Sequence, residues 1–366
     1  MSISSIKIYT SDTQLFSSSL NQSKMISSDQ PRLGWFGLGS MGLAMAFNLQ
    51  DYLIKQDLPA LRYSNRHISR GDSLKEIGAI PCQNVGELVQ ACDVIFISVS
   101  ALFSQRIIAT YNLSQVTNDE VLTSVISQFI CTNSLKGKIL VDTTTVHPST
   151  SSSLSAQLET HGCSFVAAPV FGPPPAARAG QILIATAGPP RSIEIISPFL
   201  KNVIARDVVH AGSDPSKALL LKSTSNFIAA GLQYLLSEAH VLAETAELPA
   251  SVLEALIGQN FGPYAHNTSR RLTSGSYLPS KGQAPNSALE LAIKDVGIGI
   301  EVAKEKGVRL EIGELSMGAM EEAKKFGDER ERKLDSHSVF GVVRTRAGLS
   351  FENDAVKERD SSGKEK

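Results

Sequence analysis

The segment Gly37-Leu38-Gly39-Ser40-Met41-Gly42 constrains the fold of this chain more than any other feature. It follows the short apolar stretch Leu33 to Phe36 and opens a helix-like run from Met41 to Leu53. In that setting the first glycine permits a tight turn, and the second lets the backbone approach a pyrophosphate. The third lets helix and strand pack closely. The phosphates then rest at the positive end of the helix. A lone G-x-G-x-x-G is a weak signal, but this one sits inside a run of strand–helix units. Ala60 to Ser64 reads as a second strand, Val94 to Val99 as a third, and Lys138 to Val141 as another that ends at Asp142. Phe165 to Val170 and Ile182 to Ala187 follow. Continuous apolar runs suit strands buried on both faces. Their alternation with helices predicts an α/β Rossmann domain over 31–212, with a mostly parallel, doubly wound sheet.

The pattern changes near Gly212. Helical periodicity runs from Ser216 to Ala246, and recurs at Ala250 to Ile257, Ala288 to Lys306 and Gly313 to Phe326. No strand-like run follows, so a long interdomain helix opens an all-α C-terminal domain over 213–350. The serine-rich residues 1–30 read as a disordered leader, and the charged residues 351–366 as a disordered tail.

Composition narrows the function classes. Lys+Arg 35 against Asp+Glu 36 leaves a formal net charge of -1, without the basic excess of a nucleic-acid binder. No apolar run reaches the ~18 residues that cross a bilayer, so no membrane partner is expected. Cys82, Cys92, Cys131 and Cys163 form no C-x-x-C pair and read as reduced intracellular thiols. The leader lacks the apolar core of a secretory signal and carries Asp12 and Asp29. A cytoplasmic location is expected, with a mitochondrial address as the alternative. The histidines show no ligand spacing, so no metal is expected.

An NAD site usually places an acid at the end of the second strand, ~20 residues beyond the glycines. That place reads Tyr63-Ser64-Asn65-Arg66 here. Asn65 can bond a ribose oxygen, and Arg66 can pair with a 2′-phosphate through its planar fork, unless it is a solvated loop arginine. NADP is therefore expected, with NAD as the alternative. Lys222 and Asn226 lie four apart on one helix face among Leu219, Leu220, Leu221, Phe227 and Ile228. A desolvated lysine there could exchange protons near neutral pH. On spacing alone, a lysine snorkelling to solvent explains the pattern equally well.

Five stretches, in order, resemble the β-hydroxyacid dehydrogenase family, related to 3-hydroxyisobutyrate dehydrogenase and to the NAD-binding domain of 6-phosphogluconate dehydrogenase. They are GLGSMGLAMAFN from Gly37, DTTTVHP from Asp142, FVAAPVFG from Phe165, KSTSN from Lys222 and IKD from Ile293. The resemblance implies an NAD(P)-dependent oxidoreductase acting on a small hydroxyacid, alcohol or carbonyl compound, assembled as a homodimer or homotetramer. It implies that Lys222 is the general acid/base and that Asn226 places the substrate. Thr144 and Thr145 would lie near the nicotinamide and substrate, Lys294 would close over the cofactor, and Ser98 and Val99 would flank the nicotinamide.

Several positions depart from the family pattern. The aspartate before A-P-V is Ala167, and the first asparagine after the lysine is Ser225. The family's carboxylate-binding S-G-G loop reads Phe171-Gly172-Pro173-Pro174-Pro175, and a proline has no N–H to donate. An atypical member is expected, acting on a larger or less acidic carbonyl, alcohol or imine across a pocket that includes Thr144, Phe171 and Gly172. The alternatives are an imine reductase-like enzyme, which Lys222 argues against, and an inactive NADP(H)-binding sensor or assembly protein.

Overall fold

The structure, a computed structural model, describes residues 30–100 and 118–362. The leader expected over 1–30 therefore lies almost wholly outside the described residues. The sheet strands are β1 (Leu33–Phe36), β2 (Arg62–Ser64), β3 (Ile80–Pro81), β4 (Val94–Ile97) and β5 (Ile139–Asp142), then β6 (Ser164–Ala167), β7 (Val170–Phe171), β8 (Leu183–Ala187) and β9 (Asp207–Gly212). Their order is β3-β2-β1-β4-β5-β6-β8-β7, with β9 paired to β8. From β3 to β6 every pairing is parallel, while β8 runs antiparallel to β6 and β7. The strand order reverses between β1 and β4. In open α/β sheets this switch point, at the carboxyl ends of the strands, is where ligands bind. Gly37 follows β1 and Ser98 follows β4, so both lie at that crevice.

The central strands are apolar throughout because alternate residues serve opposite faces. On β4, Val94 and Phe96 belong to the core beneath the helix Ser40–Lys55, while Ile95 and Ile97 join Phe129 and Leu140 on the other side. Trp35 stacks on Phe96 with ring centroids 5.3 Å apart. The second core also takes Ala218 and Leu219 from the helix Ser216–Thr245, so that helix starts against the sheet. Its 30 residues extend ~45 Å into the helical half.

There the helices Ala250–Thr273, Leu289–Glu305, Glu311–Asp328 and Val339–Arg346 surround a third core that includes Tyr234, Leu272, Tyr277, Met320 and Phe340. The periodicity at Ala250 to Ile257 continues to Thr273 through a kink, where Gly262 takes φ 80° before Pro263. The expected strand from Phe165 to Val170 divides into β6 and β7 around Pro169. Among the described residues, no strand follows Gly212 and no helix is long and apolar enough to cross a membrane.

The expectation of a disordered tail from residue 351 is corrected. Asp354–Ser362 is a helix, Phe351 is buried and Val356 is fully buried. Tyr277 Oη donates to the Phe351 carbonyl at 2.8 Å, and Arg359 Nη2 donates to the Leu278 carbonyl at 2.8 Å. A few well-used anchors hold a stretch that is polar in composition.

Candidate active site

The glycine loop is shaped by close approaches. Gly37 has φ 94°, and a Cβ on it would lie 2.2 Å from the Ser98 carbonyl oxygen. A Cβ on Gly42 would lie 2.2 Å from the Gly37 carbonyl oxygen, so helix and loop touch there. At Gly39 a Cβ would meet nothing within 4 Å, which leaves the loop open on its outer side. The following helix has no side-chain cap at Gly39 and no acid in its first turn. The N–H groups of Ser40 and Met41 are thus orphans of a helix start, turned to an open cradle that fits a pyrophosphate.

Leu38 and Asn65 are partners of one another. The Leu38 N–H donates to Asn65 Oδ1 at 2.9 Å, while Asn65 Nδ2 donates to the His67 carbonyl at 2.9 Å. Asn65 therefore ties the end of β2 to the glycine loop, and Arg66 beside it is exposed.

On the other side of the crevice, Lys222 stands one helical turn before Asn226, and its Nζ lies 5.0 Å from the centroid of the Phe171 ring. Burial pushes the Lys222 ammonium below the ordinary lysine range; Asp295 opposes that shift and Lys294 adds to it. Asn226 Nδ2 donates to Asp295 Oδ2 at 3.1 Å. Lys294 Nζ lies 2.7 Å from Asp295 Oδ1 and donates to the Thr145 carbonyl at 3.1 Å. Asn118 Nδ2 grips the same carbonyl at 3.1 Å. Thr144 Oγ1 accepts from the Val99 N–H at 3.3 Å, joining the loops after β4 and β5.

The helix that carries Lys294 is anchored at its start, where the Ser287 N–H donates to the buried Asp335 at 2.9 Å and the Leu289 N–H to the Leu334 carbonyl at 3.0 Å. Arg271 pairs with Asp335 at 2.5 Å, so the Asp335-Ser336-His337 stretch is a structural tie. His147 caps the helix Pro148–Glu159 and lies 3.8 Å from Glu305, in a supporting place.

Two residues of this constellation were not singled out from the sequence. Asp295 is the last residue of the IKD match, and only its packing against Asn226 shows its part. Asp142, at the end of β5, is fully buried. Its Oδ1 accepts the Thr144 N–H at 3.1 Å, and its Oδ2 has no partner among the described residues. Burial pushes its carboxyl up to about 7. Across the sheet it faces Ala167, where a polar neighbour is missing.

Known proteins match the chain across both of its halves. Residues 32–212 match the NAD binding domain of 6-phosphogluconate dehydrogenase. Glyoxylate/succinic semialdehyde reductase 1 of Arabidopsis thaliana is 29% identical over 309 residues, covering 81% of this chain and 99% of that protein. The 3-sulfolactaldehyde reductase of Escherichia coli (strain K12) is 24% identical over 323 residues, covering 87% and 97%. Over most of its length the chain is similar to enzymes of the β-hydroxyacid dehydrogenase type. Mycobacterium tuberculosis 3-hydroxyisobutyrate dehydrogenase, solved with L-serine, superposes with a TM-score of 0.68 at 20% identity, over 86% of this chain and 100% of that one. An NAD(P)-dependent dehydrogenase or reductase of that type needs room for a dinucleotide, and the cradle around Gly39 is open to one.

Proposed function

We propose that this enzyme transfers hydride between NADP(H) and a carbonyl or alcohol substrate, with Lys222 as general acid/base. The nicotinamide supplies or accepts the hydride when bound. In reduction, Lys222 Nζ gives a proton to the substrate oxygen as negative charge develops there; in oxidation it takes the hydroxyl proton back. Asp295 steadies Asn226, which orients the same oxygen, and Lys294 with Asn118 holds the Thr145 carbonyl and so the cleft's floor. The observation that carries this reading is geometric: the Lys222 amine lies 5.0 Å from the Phe171 ring, one helical turn before an asparagine held by Asp295 at 3.1 Å, and burial there lowers its proton affinity.

Replacing Lys222 by Met tests it. Turnover should fall ~10²–10⁴-fold, the usual weight of general acid–base catalysis, while NADPH affinity measured by fluorescence stays within a few-fold. Unchanged turnover would refute the role.

Exposed Arg66 favours NADP over NAD, since a guanidinium matches a 2′-phosphate. Assembly as a homodimer fits the exposed apolar face of the long helix, where Ile228, Leu235 and Leu242 are 60%, 61% and 69% exposed at seven-residue spacing. Val252, Leu256 and Phe261 on the next helix are exposed as well.

A further inference from the structure

A desolvated anion is held by charged side chains free to pair with it, or by successive backbone N–H groups. In the loop after β7, beside the Lys222 amine, the stretch Pro173 to Pro175 supplies neither. Pro173, Pro174 and Pro175 have no N–H. Pro174 and Pro175 also form the start of the helix Pro174–Arg178, so that helix lacks two of the donors a helix start would turn towards an anion. Phe171 puts an aromatic ring 5.0 Å from Lys222 Nζ, so this wall is hydrocarbon. Of the charged groups that bear on the Lys222 amine, Asp295 and Lys294 offset one another at 2.7 Å. Lys294 is further committed to the Thr145 carbonyl. No described cation acting on that amine is left over for a substrate carboxylate.

We propose that the site selects an uncharged aldehyde or ketone whose apolar substituent lies against Phe171, and disfavours oxo- and hydroxy-acids. This rests on the hydride-transfer reading above. The carbonyl carbon gains a hydride from NADPH and the π electron pair moves to oxygen. The oxygen takes a proton from Lys222 Nζ, leaving an alcohol and NADP⁺, and solvent restores the lysine's proton. A carboxylate laid against Phe171 and the three prolines would lose its hydration, and none of Pro173, Pro174 and Pro175 has an N–H to replace it.

Two measurements test the selectivity. The first compares kcat/KM for 4-oxobutanoate and its methyl ester, which differ chiefly in charge, with phenylacetaldehyde as a third substrate. An ester-to-acid ratio of at least about three-fold, narrowed in Phe171→Ser, is the expected result for a pocket of this chemistry. A smaller or inverted ratio overturns the proposal and leaves hydride transfer standing. The second is calorimetric, on the enzyme–NADP⁺ complex, with 3-phenylpropanamide and 3-phenylpropanoate as probes, and does not depend on turnover. Tighter binding of the amide supports the proposal; equal affinity, tighter acid binding or binding of neither overturns it. Preferred amide binding without reduction of any carbonyl would instead bring down the hydride-transfer reading alone.

Discussion

Replacing Asp142 by Asn swaps an ionisable group for a neutral one of the same shape, in a place solvent does not reach. The oxygen of the introduced amide would still accept the Thr144 N–H, and its NH₂ would occupy the position of Oδ2, which has no partner among the described residues. That mismatch costs ~1–3 kcal/mol at every pH. The ionisable part varies with pH. The carboxyl moves from 3.8 to about 7 on folding, so between those values the native state holds a proton that the unfolded chain has released. A carboxyl raised in this way contributes stability that is fully present below pH 3.8 and is lost as pH rises through about 7. At about 1.4 kcal/mol per pH unit the whole swing is about 4 kcal/mol, of which about 2.5 kcal/mol falls between pH 5 and pH 8. The assay is chemical denaturation of both proteins across that range. The stability of wild type minus that of Asp142→Asn should fall steadily towards pH 7 and level off above it. A difference that stays constant from pH 5 to pH 8 would show that Asp142 is ionised in the native state and that the reasoning is wrong.

Three further outcomes follow from the site and the surface. Asp295→Asn removes the charge that raises the proton affinity of Lys222, so the fall of reductive kcat/KM with rising pH should move to lower pH; a pH–rate profile superposable on wild type would refute the coupling. Arg66→Ala should raise KM for NADPH by ~10-fold or more and leave KM for NADH nearly unchanged, since only the phosphate loses its partner; equal effects on both cofactors would remove Arg66 from that role. Leu235→Glu, at a position 61% exposed in the middle of the apolar helix face, should convert a dimer to monomer in light scattering, and an unaltered mass would exclude that face as the interface.

The parts of the fold that were legible in the sequence are those in which local pattern and burial agree. The runs at Val94 and Lys138 read as two-sided strands because β4 and β5 bury every side chain. The edge strand β9 was missed because most of it is exposed and it carries no apolar alternation. The tail was misread for a related reason. Its helix is charged, and Val356 and Phe351 are isolated anchors whose burial depends on Gly275 and Gly341 across the helical half.

The sequence by itself determined the glycine cradle and the paired positions of Lys222 and Asn226, because turn geometry and helix period act over a few residues. Tertiary structure decided what those groups meet. Asp295 reaches Asn226 from 69 positions away, Lys294 reaches Thr145 from 149, and the hydroxyl of Thr144 meets the amide of Val99 from 45. Such contacts arise when helices and loops from separate segments converge at the switch point of the sheet. Proton affinity at Lys222 and Asp142 follows from the burial and charge that this convergence creates, and no local pattern encodes either.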